Sequence, residues 1–283
     1  MGTMTKLGAV FIPQLPPERL KSFAVAADQS GLDELWLWED CFLESGIAAA
    51  GPALAWTKEI QVGVGLLPVP LRNVALTAME TATLHRLFPG RVHIAVGHGV
   101  QSWMGQVGAR AASPLTLLRE SLHALRALLR GEPVTVSGNY VTLDNVKLDW
   151  PPAEPPAIWA GGLGPKTLAL CAEAADGIIL SGGTTPAQTR AVREMAGDLP
   201  IVVYIHGASG PDAAARLERE RVGWGYDSLA ERCATGDADE FAASLRRWAD
   251  AGATSLIVQP TPDDPDQEGF LNFLGTHVKA RLG

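Results

Sequence analysis

Cysteine is scarce. Cys41, Cys171 and Cys233 are the only three in 283 residues, an odd and widely spaced set. That excludes a disulfide framework and reads as reduced thiols of a cytoplasmic protein. Positive charge is also short: 23 Lys and Arg against 31 Asp and Glu leave a net charge of −8. Non-specific nucleic-acid binding, which relies on basic surface, is thereby excluded. One small anion remains within reach, because a helix N-terminus and a few basic side chains bind it locally. No apolar run approaches the ~20 residues of a membrane span, and residues 1–13 have no signal-peptide pattern. Met1–Met4 reads as a cloning remnant ahead of the natural start. Histidine, cysteine and carboxylate nowhere cluster at metal-ligand spacing, so no metal is expected. A Gly-x-Ser-x-Gly nucleophile elbow is missing too. What remains is a chain 47% hydrophobic and 19% charged, too apolar for disorder and able to fill a sizeable core.

The most informative stretch runs from Pro155 to Leu180. Ala157–Ala160 is a short apolar run that suits a buried strand, and Gly161, Gly162, Leu163 and Gly164 follow as a glycine-rich turn. Pro165 stands at the first position of a helix, where its missing N–H costs nothing. Leu168, Leu170, Cys171 and Ala174 give that helix a face, and Asp176-Gly177 closes it before the run Ile178–Leu180. Glycines in such a turn let the backbone approach a ligand, and the helix N-terminus attracts an anionic one. An ordinary helix–strand connection without a ligand fits the same pattern. Two phosphate motifs are excluded: the third glycine of a dinucleotide fingerprint is missing, and Pro165 interrupts the Gly-Lys pair of a P-loop.

Similar units precede and follow. Strands are expected at 7–12, 34–38, 60–67 and 92–96, then in the opening and closing runs just described, and at 201–205 and 255–259. Helices alternate with them, the longest at 73–87 and 114–129, the latter with Leu115, Leu118, Leu122, Leu125 and Leu129 on one side. Residues 211–250 read as helical with a break near Gly223–Tyr226, and a last helix covers 267–282. Val134–Ser137 and Tyr140–Leu143 flank Gly138-Asn139 as a tight β-hairpin inserted before the fifth strand. Eight continuously apolar strands indicate a parallel sheet covered on both faces. The expected fold is therefore α/β, a (β/α)8 TIM barrel with a small β-hairpin insertion. In such barrels the chemistry lies at the C-terminal ends of the strands. That rule selects Asp40, Gly65-Leu66, Gly97-His98-Gly99, Gly161–Lys166, Ser181–Thr184 and His206.

Those positions also carry a family resemblance. The segments, in order, are Gly31–Asp40, Val62–Pro68 with Leu71-Arg72, Leu84–Val92 with Val96–Gly99, Leu128–Pro133, and Gly164–Lys166 with Ala175–Ile178. Their order and spacing resemble the luciferase-like flavin and deazaflavin oxidoreductases, closest to the branch that uses coenzyme F420 and is typified by the methylenetetrahydromethanopterin reductases. The resemblance covers most of the chain to the sixth strand and is weaker beyond. It implies one barrel domain over residues 1–283, a homodimer, and hydride transfer between F420 and a small organic substrate. FMN in the same cradle, or a non-catalytic flavin-binding barrel, are the alternatives.

Carried over, the resemblance places a cis peptide at Gly65–Leu66 and the ring against that strand. Gly97, His98 and Gly99 would then meet the ring's edge. Gly161, Gly162, Leu163, Gly164, Pro165 and Lys166 would receive the phosphate. Asp40 and His98 are the acid–base candidates, although Cys41 and Val100 stand where the family often has histidine or glutamate.

An ordinary aspartate is a poor acid at neutral pH unless buried, whereas histidine titrates nearby. His98 is thus expected to donate the proton, if its ring faces the substrate, and Asp40 to accept hydrogen bonds from the ring. Asp40 as a helix N-cap is the competing role. Trp36 and Trp38 are expected to fill the barrel, Trp103 and Met104 either to wall the site or to pack its loop, and Arg72 to organise the loop after the third strand.

Overall fold

The computed structural model describes residues 5–282, so the reading of Met1–Met4 lies outside the described residues. Among the described residues eleven strands form: β1 (Lys6–Phe11), β2 (Glu34–Leu37), β3 (Gln61–Pro68), β4 (Val92–Gly97), β5 (Val134–Ser137), β6 (Thr142–Val146), β7 (Ile158–Gly161), β8 (Gly177–Leu180), β9 (Ile201–Ala208), β10 (Cys233–Thr235) and β11 (Ser255–Pro260). Eight of them, β1-β2-β3-β4-β7-β8-β9-β11, pair in parallel and close on themselves, since β1 pairs with β11 and β8 with β9. This is the (β/α)8 barrel that the alternation of apolar strands and helices implies. The hairpin β5–β6 stands apart from it, between β4 and β7.

Helices α1 (Leu20–Gln29), α2 (Gly46–Trp56), α3 (Val74–Leu87), α4 (Gln101–Gln106), α5 (Pro114–Leu129), α6 (Pro165–Ala174), α7 (Pro186–Ala196), α8 (Ala213–Trp224), α9 (Ala238–Asp250) and α10 (Gln267–Asn272) surround the sheet. Their ends follow local chemistry. Capping boxes start α7 (Thr185 with Gln188) and α9 (Asp237 with Glu240), satisfying backbone donors that a helix start leaves free. Along α5, Leu118, Leu122, Leu125 and Leu129 are buried against the barrel wall. Each such leucine contributes roughly 1.5–3 kcal/mol by leaving water.

Four differences from the sequence reading have identifiable causes. The hairpin is not tight: β6 starts at Thr142, and Gly138–Val141 forms a longer connection. The Glu120 carboxylate, reaching over from α5, accepts 2.9 Å bonds from the backbone N–H groups of Asn139, Tyr140 and Val141 and so shapes the turn. The short helix α4 was not expected, because six residues carry little periodicity. β9 runs on to Ala208, and its extra length pairs with β10, a three-residue strand within the span read as helical. Finally, the last helix loosens into a π-turn over Phe273–Val278.

The barrel's middle is filled by Trp36, Trp38, Trp159 and Tyr204, with Val10, Ile179, Val202 and Ile257 around them. Rings meet edge-on, Trp36 with Trp159 at 6.3 Å and with Tyr204 at 6.1 Å between centroids, a preferred aromatic geometry. Below them a polar plug seals the N-terminal end. Glu34 there is buried, with Lys6 at 3.1 Å and donors from Trp36 Nε1 (2.8 Å) and Ser255 Oγ (3.2 Å). Lys6 also donates to Gln61 at 2.7 Å.

Candidate active site

The site is built where the strands end. β3 carries two residues, Gly65 and Leu66, against one on β4, because the pairing shifts between Val64 and Leu67. The Gly65–Leu66 peptide is cis, as the resemblance implied; Cys41–Phe42 is cis as well, which the sequence did not suggest. Tyr204, from across the barrel, donates its hydroxyl to Gly65 O at 3.1 Å. Burial holds that phenol protonated far above its ordinary range. No charge therefore forms beneath the mouth at Tyr204.

Beside the bulge the backbone comes close to its neighbours. A Cβ on Gly97 would stand 2.6 Å from Leu66 Cδ2 and 2.9 Å from Gly161 O, so only glycine lets β3, β4 and β7 meet there. Gly162 and Gly164 then lead into α6, with Pro165 at its first position and no side chain capping its start. The helix's free N–H groups and positive end are thus left for an outside acceptor. Lys166 and Leu163 are exposed at this turn, and nothing lies within 4 Å of where a Gly164 Cβ would be. A backbone cradle opening on a bare helix start fits a planar ring with an anionic tail. Deazaflavin and flavin cofactors share that shape.

The His98 ring is tied to the first turn of α6. Its Nε2 is bonded to Thr167 Oγ1 at 2.9 Å, and its Nδ1 is buried. Burial depresses the His98 pKa, offset in part by the Pro114 backbone. Thr167, in the first turn of α6, is the residue that sequence reasoning missed. Nothing in its spacing pointed to it.

Asp40 is not a helix cap: Ser45 caps α2, accepting from Ala48 N at 3.4 Å. Its carboxylate stands at the mouth with no hydrogen-bond partner among the described residues, and burial raises its pKa. Glu39 points away, as expected of a strand neighbour. It takes a two-pronged contact from Arg72 (2.7 and 3.1 Å), which also reaches Glu80 at 2.9 Å. Arg72 thereby organises the loop after β3. Met104 is fully buried and packs the loop beneath Gly99 rather than walling the mouth. Phe42, Val100 and Leu163 stand exposed after β2, β4 and β7 and give the mouth an apolar rim.

A closed parallel barrel with a bulged third strand and a glycine-lined mouth defines a class, and the sequence agrees. The chain belongs to the luciferase-like monooxygenase family, whose model matches residues 3–218. Among curated proteins it is 30% identical to the 5,10-methylenetetrahydromethanopterin reductase of Methanolobus tindarius, over 90% of this chain and 72% of the relative. It is likewise 30% identical to an F420-dependent glucose-6-phosphate dehydrogenase of Kineococcus radiotolerans, over 95% of this chain and 94% of that one. The solved F420-dependent tetrahydromethanopterin reductase of Methanopyrus kandleri superposes with a TM-score of 0.85 at 19% identity, covering 99% of this chain and all of the other. That last likeness is one of fold. No helix among the described residues is long and apolar enough to cross a membrane.

Proposed function

We propose that this protein is an F420-dependent oxidoreductase moving a hydride between the deazaflavin and a small organic substrate. The observation that carries the proposal is the cradle where Gly97, Gly161 and Leu66 meet beside the uncapped start of α6. Relatives that share F420 yet differ in substrate support the cofactor and leave the substrate open. F420, when bound, supplies the hydride-carrying ring. Gly162–Lys166 hold its phosphate through backbone N–H groups and the helix end, with the Lys166 ammonium adding charge. Gly65, Leu66, Gly97 and Gly99 bear on the ring. Thr167 and His98 fix the glycine turn against the β4 loop.

We assign to Asp40, half-buried at the mouth beyond β2 and without a hydrogen-bond partner among the described residues, the proton that accompanies hydride transfer; desolvation raises its pKa above that of an ordinary aspartate. His98 acts by positioning. The test is direct: titrate the protein separately with F420 and FMN, following cofactor fluorescence. F420 binding at least about tenfold tighter than FMN is the expected result; preference for FMN, or binding of neither, defeats the reading.

We further propose that the protein self-associates through α3 in the cytoplasm. Leu76, Met79 and Leu87 are 45%, 56% and 66% exposed on one side of that helix, an apolar stripe that a partner's surface would cover. Cys41, Cys171 and Cys233 are all free, as befits a reducing compartment.

A further inference from the structure

A second set of polar groups meets on the wall formed by β8, β9 and β11, separated from the glycine turn by the width of β8. His206 and Gln259 are register partners on β9 and β11. Each stands two positions beyond a barrel-filling residue, Tyr204 and Ile257, and so faces inward at the next level up. His206 is 1% exposed and Gln259 3%. Among the described residues, neither ring nitrogen of His206 nor Gln259 Oε1 has a hydrogen-bond partner. Buried polar groups are costly to leave bare, and a folded protein keeps them where something else bonds them.

The unpaired atoms converge. A Cβ built on Gly182, in the loop after β8, would lie 2.9 Å from Gln259 Oε1 and 3.4 Å from His206 Nε2. Glu220 Oε2 stands behind the imidazole, 3.6 Å from Nδ1, and is itself held by Trp224 Nε1 at 3.0 Å. Trp224 and Tyr226, stacked on one another, cover the imidazole edge-on, each 5.7 Å away. The Tyr226 hydroxyl donates to Gly182 O at 3.0 Å, and its ring lies under the Arg232 guanidinium at 5.2 Å.

We propose that His206, Gln259 and the face of Gly182 form a polar subsite that takes a hydroxyl group of the substrate. This deepens, and rests on, the reading of the chain as an oxidoreductase with its substrate at the barrel mouth. A hydroxyl donates and accepts through one atom, which suits an amide oxygen that accepts beside an imidazole N–H that donates. A carboxylate has no hydrogen to give Gln259 Oε1, and a carboxylate or phosphate alike would bring negative charge to it with the Glu220 carboxylate close behind. An apolar group would leave both atoms unpaired. The substrate is therefore hydroxylated, not anionic, at the end that enters here, and it reaches the subsite by displacing Tyr226.

The full chain labelled with 15N-histidine tests this without knowledge of the substrate. The His206 ring signals are identified by their loss in His206→Asn and followed while glycerol, sodium acetate and inorganic phosphate are added in turn. Glycerol is expected to shift them saturably, the two anions not at all. In Gly182→Ala, where the new methyl fills the subsite, the glycerol response should weaken about tenfold or more. Gln259→Leu, which adds nothing near Gly182, serves the same purpose if the first variant does not fold. A signal that ignores glycerol, that responds equally in the folded variant, or that moves with acetate or phosphate overturns the assignment. F420 titration of the parent is run in parallel. Its failure beside an intact glycerol response removes the cofactor reading and leaves the subsite standing.

Discussion

His98 Nε2 and Thr167 Oγ1 lie 2.9 Å apart although 69 residues separate them in sequence. One bond thus joins the loop after β4 to the first turn of the helix proposed to receive the cofactor's phosphate. Thr167→Val removes it and leaves the shape nearly unchanged. F420 affinity is expected to fall about two- to tenfold, the worth of one neutral hydrogen bond, while Thr167→Ser stays close to the parent. Equal affinity in all three proteins, measured by fluorescence titration, would detach His98 from cofactor positioning.

Asp40 should separate activity from stability. With a substrate in hand, Asp40→Asn is expected to slow turnover by about 10²–10⁴-fold if this carboxyl is the only acid. Stability moves the other way. Burial raises the carboxyl's pKa above its ordinary 3.8, so the fold favours the neutral form. The stability that form contributes is complete below 3.8 and is lost as pH rises through the folded value. At pH 7, therefore, Asp40→Asn should unfold at higher urea than the parent, and the gap should narrow toward acid. A variant less stable than the parent at pH 7 contradicts the burial argument.

Gly164 gives the cleanest steric probe of the cradle. Its φ of −81° suits any residue, and a Cβ there meets nothing within 4 Å. Gly164→Phe should leave thermal unfolding unchanged and cut F420 affinity by about tenfold or more. Undiminished binding would put the phosphate elsewhere.

Arg72 is held between Glu39 and Glu80, its side chain 14% exposed. Arg72→Met leaves two carboxylates facing one another without their cation, and loss of one partner from such a part-buried cluster costs about 1–3 kcal/mol. Urea unfolding is the measurement. A cost under about 1 kcal/mol, typical of exposed pairs, would mean that water reaches all three groups.

Met79→Glu, on the exposed side of α3, is expected to turn a dimer into a monomer in sedimentation experiments, with Tm little changed. A parent that sediments as a monomer removes the proposed interface.

Much of this architecture was legible in the chain. Continuous apolar strands such as Ile178–Leu180 can only be central strands, and Pro165 after glycines marks the start of α6 to the residue. Other features depend on contacts distant in sequence and leave no local trace. The Gly138–Val141 connection takes its length from Glu120, eighteen or more residues earlier, and β10 exists because β9 offers it an edge. The site divides the same way. Gly97 and Gly161 were readable because close backbone approach leaves only one residue type there. The direction of the His98 ring was not, since Thr167 decides it from another strand–helix unit. Gln259 was within reach: counting by twos from the apolar positions of its strand turns it inward.

The sealed lower end of the barrel has a kinetic meaning. Glu34 and its partners close the floor, and Trp36, Trp159 and Tyr204 occupy the space above it. Cofactor and substrate therefore share one doorway. A molecule seated against Gly65 and Gly97 must arrive before anything that rests on top of it, and must depart after. With the cofactor seated there as proposed, compulsory-order kinetics are the expected outcome: reduced and oxidised cofactor compete for the empty barrel, and the substrate meets only the loaded form.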